Sequence, residues 1–251
     1  IYLIKMLKFK TLFGFFWMST NSIFITALQL LKLIILVRLL DPSDFGQMAI
    51  LTVIIAFTGS ISDLGIGTAI VQQLKLTRNQ FSSLYWVNII TAVIIFTLII
   101  LLSGVIANFY LIPDLNIKLI FLASTILIRS LGYQYSFLLQ KHLEFKNIAL
   151  VGMLSECFAF LATVSLAYLG YGIWSLIIGQ IILSLVYSFL MLYFGVKLFY
   201  LPRLYFQFSE IKKLLSFGFF QAGERLVNFT SANIDKLLIS KIIGVDALGY
   251  Y

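Results

Sequence analysis

Between Phe13 and Tyr251 about seven apolar stretches, each about 20–25 residues long, follow one another with short gaps. At about 1.5 Å of rise per residue, a helix of that length crosses a hydrocarbon layer about 30 Å thick with some tilt. Helices are expected at about 13–37, 46–70, 83–106, 118–138, 148–169, 173–195 and 214–238. Hydrophobic residues make up 61% of the chain, charged residues 11%, and mean hydropathy is +1.03. A water-soluble domain is nearer a quarter charged. Lipid is therefore the solvent that this much apolar surface requires, and the expected class is an all-α, polytopic transmembrane helix bundle.

The gaps carry breakers: Asp41-Pro42-Ser43-Asp44, Pro113-Asp114, Gly170-Tyr171-Gly172 and Pro202. None exceeds about 20 residues, too few for an extramembrane domain. The net charge of +8 does not point to nucleic acid, because most of the basic residues fall in the short gaps between apolar runs. Of eighteen Lys and Arg, eleven lie on segments sharing the N-terminal side. Three (Arg38, Lys118, Lys241) lie on the opposite side, and four (Lys32, Arg129, Arg225, Lys236) lie within apolar runs. By the positive-inside rule, the N-terminus is cytoplasmic.

The first apolar unit returns near the end. Residues 36–46, Leu36-Val37-Arg38-Leu39-Leu40-Asp41-Pro42-Ser43-Asp44-Phe45-Gly46, are echoed by residues 239–249 at an offset of 203, Arg38 matching Lys241 and Gly46 matching Gly249. Six helices separate the copies, so both run in the same direction, as parallel repeats about an axis along the membrane normal would. The expected division is a transmembrane lobe over 1–195, a cytoplasmic linker over 196–213 and the start of a repeat-related second lobe over 214–251. The first residue is Ile rather than Met and the repeat is interrupted, so a piece lacking at least its C-terminal half is expected.

Ionisable groups in hydrocarbon cost at least about 2.5–3.5 kcal/mol each, so they need a reason. On the seventh helix Glu224, Asn228, Ser231 and Asp235 fall within about 60° of arc, with Arg225 beside them. On the first helix Asn21 and Lys32 lie about 20° apart, with Gln29 about 60° further round. Asn21 maps to Glu224 and Lys32 to Asp235 at the repeat offset. Two readings follow: a water-filled cleft between two halves, or hydrogen bonding between helices of a static bundle. Lys32 and Lys236 lie near helix ends and are able to snorkel to the interface. Arg129 and Glu156 stand almost equally far from the Leu143 turn, so an ion pair between them is expected at one depth. It acts either as a register pin or as an anion contact held by the glutamate. Asp63, between Ser60 and Gly67, reads as a helix break or cap.

No catalytic set, metal-ligand cluster or cofactor motif emerges. Gly65-Ile66-Gly67 lacks the context of a phosphate loop. Cys157 reads as a small core residue and His142 as a solvated loop residue.

Several ordered stretches resemble one family. They are residues 38–46, Ser62-Asp63-Leu64-Gly65-Ile66-Gly67-Thr68-Ala69-Ile70-Val71-Gln72-Gln73, Leu84-Tyr85-Trp86-Val87-Asn88, Leu139-Gln140-Lys141-His142-Leu143-Glu144-Phe145-Lys146, Pro202-Arg203, and Asn233-Ile234-Asp235-Lys236 running on to Leu248-Gly249-Tyr250-Tyr251. Taken together they resemble the N-terminal half of bacterial oligosaccharide (Wzx-type) flippases, in the colanic-acid-exporter-like branch of the multidrug/oligosaccharidyl-lipid/polysaccharide exporter superfamily. The resemblance implies a MATE/flippase-like six-helix lobe plus the first helix of a second lobe, in a protein of about twelve to fourteen helices working by alternating access. It implies an undecaprenyl-pyrophosphate-linked oligosaccharide as substrate, moved across the bacterial inner membrane for surface polysaccharide synthesis, membrane lipids as surroundings and polysaccharide assembly proteins as partners. A single bundle is expected to be inactive alone. A proton- or cation-coupled drug or metabolite exporter of the same superfamily is the alternative. A polysaccharide polymerase or ligase fits less well, because the outer gaps are only about 4–12 residues long.

Overall fold

In a computed structural model, the described residues are 2–62, 65–73, 76–112, 114–209 and 211, with 223, 227, 228, 231, 244, 248 and 249. Seven helices and no strand occur among them: α1 (Tyr2–Leu36), α2 (Pro42–Ser62), α3 (Ile66–Gln72), α4 (Arg78–Tyr110), α5 (Leu115–Lys141), α6 (Phe145–Tyr168) and α7 (Ile173–Leu198). Five of them, α1, α4, α5, α6 and α7, are long and apolar enough to cross a membrane. The chain is an all-α multi-pass membrane protein.

Helix ends follow local chemistry more than hydropathy. Helix α4 begins before its apolar run because Thr77 caps it: the hydroxyl accepts from the Gln80 amide at 3.2 Å, and Gln80 Oε1 accepts from the Thr77 amide at 3.1 Å. The second apolar run is broken at Gly65, within the Ser60–Gly67 stretch read as a helix break or cap, and the glycine's φ of 65° is one an L side chain rarely adopts. Asp63 itself lies outside the described residues.

Helices α5 and α7 form the centre. Helix α5 touches α2, α3, α4, α6 and α7, and α7 touches α2, α5 and α6. Among the described helices α1 packs on α6 alone. Small residues allow the central crossing, as expected where lipid supplies no hydrophobic drive between helices. A Cβ at Gly132 of α5 would lie 2.6 Å from the Ser188 carbonyl oxygen of α7, and one at Gly195 would collide with the Tyr135 ring. That closeness lets the Ser188 hydroxyl donate to the Ile128 carbonyl at 2.6 Å. Leu98, Leu101 and Val105 of α4 and Phe15, Phe16 and Ile23 of α1 stay exposed, as lipid-facing side chains do.

After α7 the chain folds back as a strap along the start of α4. The Arg203 amide donates to Ser82 Oγ at 3.0 Å, and the Gln207 amide donates to Ser83 Oγ at 3.1 Å; both serines are fully buried. Trp86 Nε1 donates to the Arg203 carbonyl at 2.8 Å, and Arg78 donates to the Leu201 carbonyl at 2.8 Å. The Arg78 guanidinium also stands over the Tyr200 ring, and burial pushes that phenol's pKa up. Ile211 ends the strap in a core with Ile66, Ile70, Phe81 and Leu84. At least this much of the segment after α7 is fixed to the lobe.

The α5–α7 crossing makes a paired expectation. Gly132→Leu should destabilise the protein by about 1–3 kcal/mol or more through overpacking. Gly104→Leu, where nothing lies within 4 Å, should leave stability nearly unchanged. Thermal unfolding of the complete protein in detergent compares the two.

Candidate functional site

A cavity of about 440 Å³ opens between α2, α4, α5 and α7. That volume is within the range of small-molecule sites. Its α2 wall runs from Met48 through Thr52 and Ile55 to Gly59. Besides Thr52, polar groups come from the other three helices: Asn88 of α4, Thr125, Arg129, Ser130 and Tyr133 of α5, and Gln180 and Ser184 of α7. Among the described lining residues Arg129 is the only charged one, and none is acidic.

Arg129 is exposed to this space, and no hydrogen bond or ion pair to it is found among the described residues. The backbone around it is held from both sides. Asn88 Nδ2 donates to the Ser130 carbonyl at 3.0 Å and Tyr85 donates to the Leu131 carbonyl at 3.1 Å, both from α4. Ser188 binds the Ile128 carbonyl from α7. The result is a cation lining a cavity of mixed polarity within an apolar bundle, which attracts an anion more strongly than the same charge in bulk water.

Glu156 sits elsewhere. It is 4% exposed and accepts from Lys32 Nζ at 2.8 Å. The expected Arg129–Glu156 pair does not form, because α7 packs against both α5 and α6, while α1 covers the glutamate's face of α6. Equal depth on consecutive helices is not contact. Nor does Lys32 snorkel outward; its ammonium is held by Glu156 of α6. Asn21 also faces α6: its Oδ1 would meet a Cβ at Gly152 at 2.8 Å and has no hydrogen-bond partner. Asn21 and Lys32 thus line the α1–α6 seam, whereas Gln29 is exposed. Asn228 is exposed too, while Glu224, Arg225 and Asp235 lie outside the described residues, so the α1–helix 7 cleft is not described. His142 is not simply solvated: its Nδ1 lies 2.9 Å from the Leu138 carbonyl, and its ring lies 4.6 Å from that of Phe199, tilted by 46°.

Apart from Arg129, the cavity's polar residues escape a reading that looks only for charges. Their signal is present as two stripes at helical spacing, Thr125-Arg129-Tyr133 on α5 and Gln180-Ser184-Ser188 on α7. Each places polar groups four residues apart along one face of an otherwise apolar helix.

A family profile described as "Polysaccharide biosynthesis protein" matches residues 35–251. The chain is similar to the teichuronic acid biosynthesis protein TuaB of Bacillus subtilis, 34% identical over 236 residues, which is 94% of this chain and 48% of that protein. It is similar to the lipopolysaccharide biosynthesis protein WzxC of Escherichia coli, 29% identical over 98% of this chain and 50% of that protein. It is also 28% identical to the succinoglycan biosynthesis transport protein ExoT of Rhizobium meliloti, over 86% of this chain and 43% of that protein. The chain spans about half the length of these curated relatives. No solved structure matches it.

Removing one partner of a buried ion pair costs about 3–5 kcal/mol, because it strands the other charge. Lys32→Met should therefore lower the unfolding temperature of the complete protein markedly, and Lys32→Met/Glu156→Leu should recover most of the loss. Equal stability of the single and double variants would show that the pair does not pin α1 to α6.

Proposed function

The chain belongs to the polysaccharide biosynthesis protein family, and we propose that the complete protein translocates lipid-linked oligosaccharide repeat units across the bacterial inner membrane. It does so by alternating access between two similar lobes, of which residues 1–195 form the first and 214–251 begin the second. The N-terminus is cytoplasmic, in keeping with eleven basic residues on that side against three on the other. The substrate is a polyprenyl-pyrophosphate-linked glycan, and the lipid tail stays in the bilayer. Its passage is transport rather than bond-making chemistry, and polysaccharide assembly proteins work beside it.

One observation carries this reading: the cavity places a fixed guanidinium, without an acidic neighbour among the described lining residues, inside a membrane bundle. A pyrophosphate crossing a low-dielectric region needs a countercharge, and the planar fork of Arg129 suits phosphate oxygens. Polar groups at Asn88, Thr125, Tyr133, Gln180 and Ser184 suit a sugar's hydroxyls. The volume accommodates a pyrophosphate or one sugar and leaves the remaining glycan to the space between lobes. Asn21, Gln29, Lys32, Glu156, Glu224, Arg225, Asn228 and Asp235 belong to that wider path or to its supporting seam. An exporter of organic cations would instead need a carboxylate facing the ligand, and Arg129 would repel its cargo.

In the complete protein, Arg129→Ala should reduce surface polysaccharide about 10- to 100-fold, the worth of one charge-assisted contact of about 1.5–3 kcal/mol. Arg129→Lys should retain part of it. Both variants should reach the membrane at parental abundance, and unchanged polysaccharide in Arg129→Ala would remove the cavity cation from the mechanism.

A further inference from the structure

The two copies of the internal repeat touch each other at equivalent residues. Gly46 and Gly249 correspond at the repeat offset of 203. In the fold, a Cβ built on Gly249 would collide with the Pro42 carbonyl oxygen and lie 3.3 Å from the Gly46 amide nitrogen. Backbone thus rests on backbone, and Leu248 beside it is 4% exposed. A point and its two-fold mate are equally far from the axis, so mates in contact must lie on it. At Gly249 so close an approach leaves no room for a side chain.

The first-lobe side of this contact is firmly built. Lys118 Nζ of α5 donates to Gln47 Oε1 at 2.8 Å, and Gln47 Nε2 donates to Ser43 Oγ at 3.3 Å. Asp44 faces Gly172 of the α6–α7 hairpin, where a Cβ would stand 3.3 Å from its carboxylate. The corner between α1 and α2 is therefore tied to α5 and to the α6–α7 turn, and a push on it moves the lobe rather than a loop. Directly below the corner, the α2 wall of the Arg129 cavity begins at Met48.

We propose that the Pro42–Gly46 corner and the repeat-related Gly249 form a closed gate on the pseudo-two-fold axis, sealing the outer face of the space between the lobes. Opening the outer face requires these two glycines to part. The gate rests on the alternating-access reading and on the cytoplasmic N-terminus given above.

The test uses the complete protein in intact cells, with Cys157→Ser and a single reporter, Thr52→Cys, on the exposed α2 wall of the cavity. A membrane-impermeant maleimide added outside should label this parent slowly. Gly249→Leu should speed labelling several-fold, and Gly46→Leu should also speed it, because Gly46 stands on the facing side of the same contact. Where a leucine variant does not accumulate, Gly249→Ala supplies a smaller wedge against Pro42. Labelling at the parental rate in a glycine variant of parental abundance would overturn the gate, as would an effect confined to one of the two glycines. Labelling reads the gate without reference to substrate. Faster labelling in a protein whose parent exports no polysaccharide would thus retain the gate and discard the transport reading.

Discussion

Hydrocarbon offers no partner to a charge, so every ionised side chain inside the bundle must find a counter-ion or be given water. The two central charged sites solve this differently. Lys32 and Glu156 neutralise each other across the α1–α6 seam, at 2.8 Å and largely out of solvent. Arg129 has no such partner among the described residues and instead lines a cavity whose walls mix polar and apolar side chains. A pair that cancels serves architecture. A charge left open in a built cavity is available to a ligand, and this contrast separates scaffold from site.

The same constraint organises the rest of the lobe. Backbone groups are satisfied within helices, so contacts between helices rest on small residues and on side chains reaching carbonyls. Gly132 brings α7 onto α5, and Ser188, Asn88 and Tyr85 then hold the carbonyls on either side of Arg129. At one end of the bundle the strap after α7 is bonded to Ser82 and Ser83. At the other, Lys118, Gln47 and Ser43 fix the α1–α2 corner. With both ends tied, the lobe is suited to moving as a unit, as rocking about a repeat axis demands.

Much of this architecture is legible in sequence because lipid imposes a single length scale. Apolar runs at 83–106, 118–138, 148–169 and 173–195 lie within α4, α5, α6 and α7 to within a few residues. Their ends extend further because caps such as Thr77 and Gln80 stop helices outside the apolar zone. Pairing was less legible. Depth along a helix can be counted, but the neighbour across a seam depends on how the bundle packs. Glu156 therefore meets Lys32 rather than Arg129. The cavity's uncharged walls were written at Thr125, Tyr133, Gln180 and Ser184, in a four-residue spacing that serine- and threonine-rich membrane helices also use for plain packing. Geometry was needed to bring those stripes to one space.

The central claim is that Arg129 receives the anionic head of a lipid-linked glycan. The most direct measurement is equilibrium binding of a polyprenyl pyrophosphate to the purified complete protein, parent against Arg129→Gln, with the corresponding polyprenol as reference. The account predicts that the substitution weakens pyrophosphate-lipid binding about tenfold or more, a loss of about 1.4 kcal/mol, and leaves polyprenol binding unchanged. Equal affinity of parent and variant for the pyrophosphate lipid would contradict it.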